Sequence, residues 1–256
     1  MTTTKNKRFF AFGCSYTRWS WPTWADLIGS DFDNYYNYGQ QGAGNQYIFN
    51  AFMEADVRHK FTKDDLIIIQ LSGITREDRY ANNAWQAKGT ITNHEDYFIR
   101  NYFDFKGYLI RDMAFIKAMI DFLNNLGCEF YILSMNPLTS NNEFFIKHDD
   151  TVNDVIEFYK EYIDIVKPSF MEVLNYKRPL LLKNGRSLHD AHPLPIDHYN
   201  YLELVLPEYA VNKDLAIEWT DVVHTLNDEP NELWNETNYG NTFPIRNKGR
   251  KWTTRL

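Results

Sequence analysis

The chain has 256 residues, of which 44% are hydrophobic, 24% charged and 16% aromatic, and its 27 Lys and Arg against 34 Asp and Glu leave a formal net charge of −7. That composition excludes a disordered, collagen-like or coiled-coil chain, and at this length folding buries roughly three quarters of the extended-chain surface without any staple. The acidic balance, with a pI near 5.5, argues against nucleic acid as a partner, because phosphate binding wants a basic face.

Met1 to Arg8 is polar and basic, but the apolar run behind it stops at Gly13. No secretory leader is therefore expected. No stretch reaches the roughly 20 apolar residues of a membrane span, so neither a membrane nor an extracytoplasmic location is expected. Arg8 to Gly13 reads as a strand ending in a glycine turn. Pro22 to Ile28 reads as a short helix, Asn34 to Tyr38 as a second strand, and Asn45 to Ala55 as a helix with Ile48, Phe52 and Ala55 on one face. Asp65 to Leu71 is the clearest strand, and its unbroken aliphatic centre suggests burial on both faces. Tyr80 to Asp104 is polar and aromatic with little period, and reads as an insertion or lid. Ile110 to Leu126 is a long helix stopped by Gly127, where a left-handed cap is expected. Cys128 to Met135 follows as a strand, Thr151 to Lys167 as a helix, Arg178 to Leu182 as a short fifth strand, and Pro195 to Tyr209 as a final helix. Two cysteines make no disulfide framework. Alternating strands and helices predict a three-layer α/β/α sandwich, flavodoxin-like, around a parallel sheet of about five strands. The domain spans 1–210. Residues 211–256, rich in Asn, Trp, Thr and charge, read as an extension, either a tail wrapped on the domain or an arm that docks a protein partner; Arg246, Lys248, Arg250, Lys251 and Arg255 form a local basic run there.

In such a sheet ligands sit at the carboxyl ends of the strands, which ranks the loops after Phe12, Tyr38 and Leu71 first. Ser15 lies just past the first strand, where a hydroxyl faces outward and its own N–H is free to meet a substrate oxygen. The competing reading is an ordinary turn serine. Three glycines between Gly39 and Gly44 permit close backbone approach, yet no Lys-Ser/Thr pair and no dinucleotide spacing accompanies them, so a backbone donor for an oxyanion fits better than a phosphate loop. Asp190-Ala191-His192 places a carboxylate two residues before an imidazole, enough to orient a general base. His189, Asp190, His192 and His198 are also zinc-type ligands, but all four lie in one short segment with two prolines, so no metal is expected. Tyr16, Trp19, Trp21 and Trp24 offer a wall for an acyl or sugar group, against the reading that Trp21 and Trp24 are core.

On these residues the chain resembles the SGNH (GDSL-like) hydrolase superfamily. Phe12-Gly13-Cys14-Ser15 looks like its first block, with Cys14 where Asp is usual. Asn37 to Gly42 looks like the second, with Gly42 as the donor glycine, and Asp190-Ala191-His192-Pro193 looks like the fifth. The resemblance implies a serine esterase without metal or organic cofactor, acting on a small-molecule or glycan ester, O-acetyl groups included. Ser15 would be the nucleophile, His192 the base and Asp190 its orienter. The N–H groups of Ser15 and Gly42 would form the oxyanion hole, and Tyr16, Trp19 and Arg76 would contact substrate. The third block departs: Ile74 stands where the family has a donor Asn, and Ser72, Thr75, Arg76 or Asn45 is the expected substitute, Asn45 or Ser72 first. That departure keeps a second expectation open, a non-catalytic structural or binding protein with the same fold, such as a bacteriophage particle component. The expected location is accordingly cytoplasmic, or the virion for a phage-encoded chain.

Overall fold

A computed structural model of the chain describes residues 7–138, 151–174 and 192–228, together with Phe243 and Ile245. Four strands, β1 (Arg8–Phe12), β2 (Asn34–Asn37), β3 (Leu66–Leu71) and β6 (Glu129–Ser134), form a parallel sheet in the order β2-β1-β3-β6. The helices between them are α1 (Trp24–Gly29), α2 (Asn45–His59) and α4 (Phe105–Leu126). Short helices α5 (Thr151–Phe158), α6 (Lys160–Ile163) and α7 (Phe170–Val173) follow β6, then α8 (Pro195–Val205) and α9 (Lys213–Asp228). The expected fifth strand at 178–182 lies outside the described residues.

The layering follows from the alternation of β1. Phe9 points to one face, where its ring meets Trp24 of α1, Phe32 and Tyr35. Phe10 and Phe12 point to the other, against Phe61 and Phe52, the latter from α2. All three phenylalanines are fully buried. A strand with large apolar side chains on both faces is stable only when helices cover both, each ring contributing about 1.5–3 kcal/mol. Every side chain of β3 is buried as well, as its aliphatic run requires. The register at the amino end of the sheet is pinned by Arg8, whose Nε and Nη2 donate to the Asp65 carboxylate at 2.7 and 2.6 Å.

One segment differs from the sequence reading, and two acquire structure where the reading gave none. The helix expected over 151–167 is broken at Tyr159 into α5 and α6, and the backbone N–H of Lys167 instead donates to Ile132 at 2.8 Å, running 166–171 along the outer edge of β6. The insertion is ordered: β4 (Arg76–Ala81) and β5 (Ala84–Thr90) form an antiparallel hairpin, followed by α3 (Asp96–Tyr102). Its turn residues Asn82 and Asn83 are both left-handed, with φ of 53° and 59°. After 211, α9 packs on α8: the Thr220 hydroxyl accepts the Ile196 N–H at 3.0 Å, and Val223 with Phe243 joins Trp21 and Leu194 in a second apolar cluster. Among the described residues no helix is long and apolar enough to cross a membrane.

Candidate active site

β1 ends at Phe12 and the chain turns at once. The N–H groups of Thr17 and Arg18 both reach the Cys14 carbonyl, at 3.0 and 3.1 Å, which puts Ser15 at the apex of a tight turn on the carboxyl edge of the sheet. Ser15 is 4% exposed. Cys14 is buried beneath the turn, its Sγ 3.7 Å from Met135 Sδ, so the thiol packs and does not compete with the hydroxyl.

The glycine loop after β2 is joined to this turn. The Gln40 N–H donates to the Gly13 carbonyl at 3.0 Å. Asn37 Nδ2 donates to the Thr17 carbonyl at 2.9 Å, and Asn37 Oδ1 accepts the Gly39 N–H at 2.9 Å. Gly42 has φ +74°, the left-handed region that favours glycine. Neither the Ser15 N–H nor the Gly42 N–H donates to a partner among the described residues. Two unpaired donors on adjoining loops are what an oxyanion needs.

His192 comes from the segment ahead of α8. Its ring lies flat on the indole of Trp19, with centroids 3.5 Å apart and planes at 17°, and meets the edge of the Tyr16 ring at 5.8 Å. An imidazole from position 192 therefore sits against the residues next to and just beyond Ser15. The placement is braced by Trp21, whose Nε1 donates to the Pro193 carbonyl at 2.6 Å. Asp190, the expected orienter, lies outside the described residues. His198 is a core residue, 1% exposed and enclosed by the rings of Tyr16 and Phe170. Burial, and then the neighbouring His192, hold its pKa down at about 3. Among the described residues no group of three His, Cys, Asp or Glu is placed to hold a metal ion.

The remaining expected residues fall as follows. Asn45 opens α2, and both its amide hydrogens are engaged inside the fold, one on the Ser72 carbonyl at 3.2 Å and one on Asp112 at 2.8 Å. Its Oδ1 accepts the Ser72 N–H at 2.8 Å, while the Ser72 hydroxyl is buried with no hydrogen-bond partner. Ile74 is buried and apolar. Arg76 donates through Nη1 to the Ala43 carbonyl at 2.8 Å. Tyr16 is 2% exposed, and Trp21 and Trp24 are fully buried, which leaves Trp19 as the partly exposed ring of the aromatic cluster.

Sequence reasoning missed Asp78 and Asp112. Asp78 accepts the N–H groups of Gly44, at 2.8 and 3.0 Å to its two oxygens, and of Tyr47 at 2.8 Å. Burial raises its carboxyl above the usual range despite those bonds. Burial likewise holds Asp112 up at about 6, against Arg111 and Asn45, which stabilise its charged form. No periodicity marks either position. Their one signal is a carboxylate inside an otherwise apolar or hairpin-forming stretch.

No protein-family model and no curated protein matches the chain. Solved structures of similar chain course include a Bacteroides fragilis protein provisionally designated an acylhydrolase, at 14% identity over 82% of this chain and 88% of that one, TM-score 0.42. Another is a member of the lipolytic protein G-D-S-L family from Veillonella parvula, at 17% identity over 77% and 97%, TM-score 0.43. Those designations describe the two neighbours.

Proposed function

We propose that the chain is a serine esterase acting on O-acyl esters, with Ser15 as nucleophile. The observation that carries the reading is the imidazole of His192 resting on the turn that presents Ser15. Ser15 Oγ attacks the acyl carbon and gives its proton to His192, and the carbonyl oxygen becomes an oxyanion facing the N–H groups of Ser15 and Gly42. His192 then returns the proton to the departing alcohol, and water resolves the acyl-enzyme by the same route. Asp190 is assigned the orienting role by its place in the Asp-x-His-Pro motif. O-acetyl groups on a glycan are the substrate class to assay first, with Trp19 beside the imidazole as the ring available to stack on a sugar.

The test is a fluorophosphonate adduct located on Ser15 by mass spectrometry, together with p-nitrophenyl acetate turnover by wild type and Ser15→Ala. The reading expects one label on Ser15 and a loss of about 10⁴-fold or more in the variant. Equal rates for the two proteins remove the assignment. A binding role without turnover, as in a phage particle component, is the second reading. It is favoured by the buried Ile74 at the third block and by the committed amide of Asn45. An unlabelled Ser15 and no hydrolysis of any ester supports it.

A further inference from the structure

The hairpin β4–β5 begins where the third-block donor is missing, and its polar contacts converge on one short stretch of chain. The Gly89 N–H donates to the Gly42 carbonyl at 3.1 Å. Arg76 Nη1 donates to the Ala43 carbonyl at 2.8 Å. The Asp78 carboxylate accepts the N–H groups of Gly44 and Tyr47. Three successive residues of the glycine loop, 42 to 44, are thus each held by a different group of the hairpin.

Asp78 is also the anion that the amino end of α2 calls for. The cap position is Gly44, which has no side chain to accept the free N–H groups of the first turn. A carboxylate from another element takes that place, favoured by the helix dipole. The hairpin is secured behind these contacts. Arg111 of α4 donates to the Arg76 carbonyl at 3.1 Å and pairs with Glu77 at 3.4 Å, and Trp85 meets the ring of Tyr47 edge-on at 5.9 Å.

We propose that this hairpin fixes the direction of the Gly42 N–H in a chain that lacks the third-block donor, and that Asp78 and Arg76 are positioning residues of the oxyanion hole. The inference rests on the esterase reading above. A donor on a left-handed glycine loop can swing with small changes in φ and ψ. The Gly42 N–H belongs to the peptide unit just before these contacts; holding the two units that follow it, with the Ala43 N–H bonded back to the Gln40 carbonyl at 3.1 Å, narrows that freedom before substrate arrives, which is the condition for strong oxyanion stabilisation.

The test compares full-length wild type, Asp78→Ala, Asp78→Asn and Arg76→Met on p-nitrophenyl acetate, with active sites titrated by a fluorophosphonate. Asp78→Ala is expected to lower kcat per titrated site about 10- to 100-fold with KM changed by less than about 3-fold, the pattern of an interaction realised in the transition state. Asp78→Asn keeps one acceptor oxygen and falls between it and wild type. Arg76→Met, which leaves the Asp78 contacts in place, shows a smaller fall in kcat; should Asp78→Ala not fold, this variant and Asp78→Asn carry the same comparison. Unchanged kcat per titrated site in every variant, with losses only in the number of sites, overturns the positioning role. A wild-type protein that takes no label on Ser15 removes the esterase reading and this role with it.

Discussion

Substituting Gly42 by Ala separates backbone conformation from close contact. At φ +74° an alanine pays about 1–2 kcal/mol for the left-handed conformation alone. A Cβ built there also meets the Ala87 carbonyl oxygen at 2.5 Å and Gly89 N at 3.3 Å, so β5 must retreat. That retreat breaks the bond from the Gly89 N–H to the Gly42 carbonyl, a further 0.5–1.5 kcal/mol or so. The sum is about 1.5–3.5 kcal/mol, or a fall in Tm of roughly 3–14 °C for a chain of this size. Gly127 is the internal control. It caps α4 at φ +71°, and a Cβ there meets nothing within 4 Å. Gly127→Ala should therefore lose only the conformational share, roughly 2–8 °C. Differential scanning fluorimetry of the two variants beside wild type, with esterase rates on the same samples, makes the comparison. Gly42→Ala is expected to be the less stable and also to lose kcat, whereas Gly127→Ala keeps it. Equal Tm shifts for the two alanines would refute the claim that β5 presses on the loop at Gly42.

Trp19→Ala removes the indole on which His192 lies; an aromatic stack of about 0.5–1.5 kcal/mol predicts a loss of about 3- to 10-fold in kcat/KM, with Trp19→Phe retaining most of it. Wild-type kcat/KM in Trp19→Ala counts against a placing role. The neutral form of His198 is favoured by the fold, so this group contributes stability that is complete above about pH 6.5 and is lost as pH falls toward about 3. His198→Phe should gain Tm relative to wild type progressively from pH 6.5 to 4, and parallel Tm profiles for the two proteins would contradict the assignment. Asp112 acts in the opposite sense: its folded pKa of about 6 lies above the ordinary aspartate value, so the fold binds the proton more tightly and gains stability as pH drops from about 7 to 4. Thermal melts of Asp112→Asn across that range are expected to lack this gain, up to about 3 kcal/mol, and a variant that still shows it sinks the argument.

The layers of the fold were legible because they follow from periodicity. The unbroken aliphatic run of β3 and the double-faced aromatics of β1 admit few arrangements other than a covered parallel sheet, and Gly127 marks the end of α4 as its left-handed φ requires. The hairpin was not legible from periodicity, because Arg76 to Ala81 is mostly polar and its outer half is exposed. A turn signal was nonetheless present: Asn82-Asn83 between two short runs is the residue type a two-residue loop with both φ positive selects. Helix α9 was legible in principle: Leu215, Ala216, Trp219, Val222, Val223 and Leu226 recur at the three- and four-residue spacing of an amphipathic helix, and only the polar stretch that follows 228 in the sequence obscures it. Around the proposed site, the segments at Ser15, Gly42 and His192 stand out in the sequence as short motifs, and the structure sets the His192 ring against Tyr16 and Trp19. Asn45 illustrates the limit: an amide at a helix start reads equally as a donor to ligand or as an internal strut, and only its partners Ser72 and Asp112 distinguish the two.

The bond from Trp21 to Pro193 ties together pieces of chain 172 positions apart. Because a ribosome releases the serine turn long before the imidazole segment, a nascent or prematurely terminated chain carries the Ser15 hydroxyl without the imidazole proposed as its base. On the esterase reading, fragments that end upstream of His192 lack the proposed base and await the last quarter of the polypeptide, whatever secondary structure they retain.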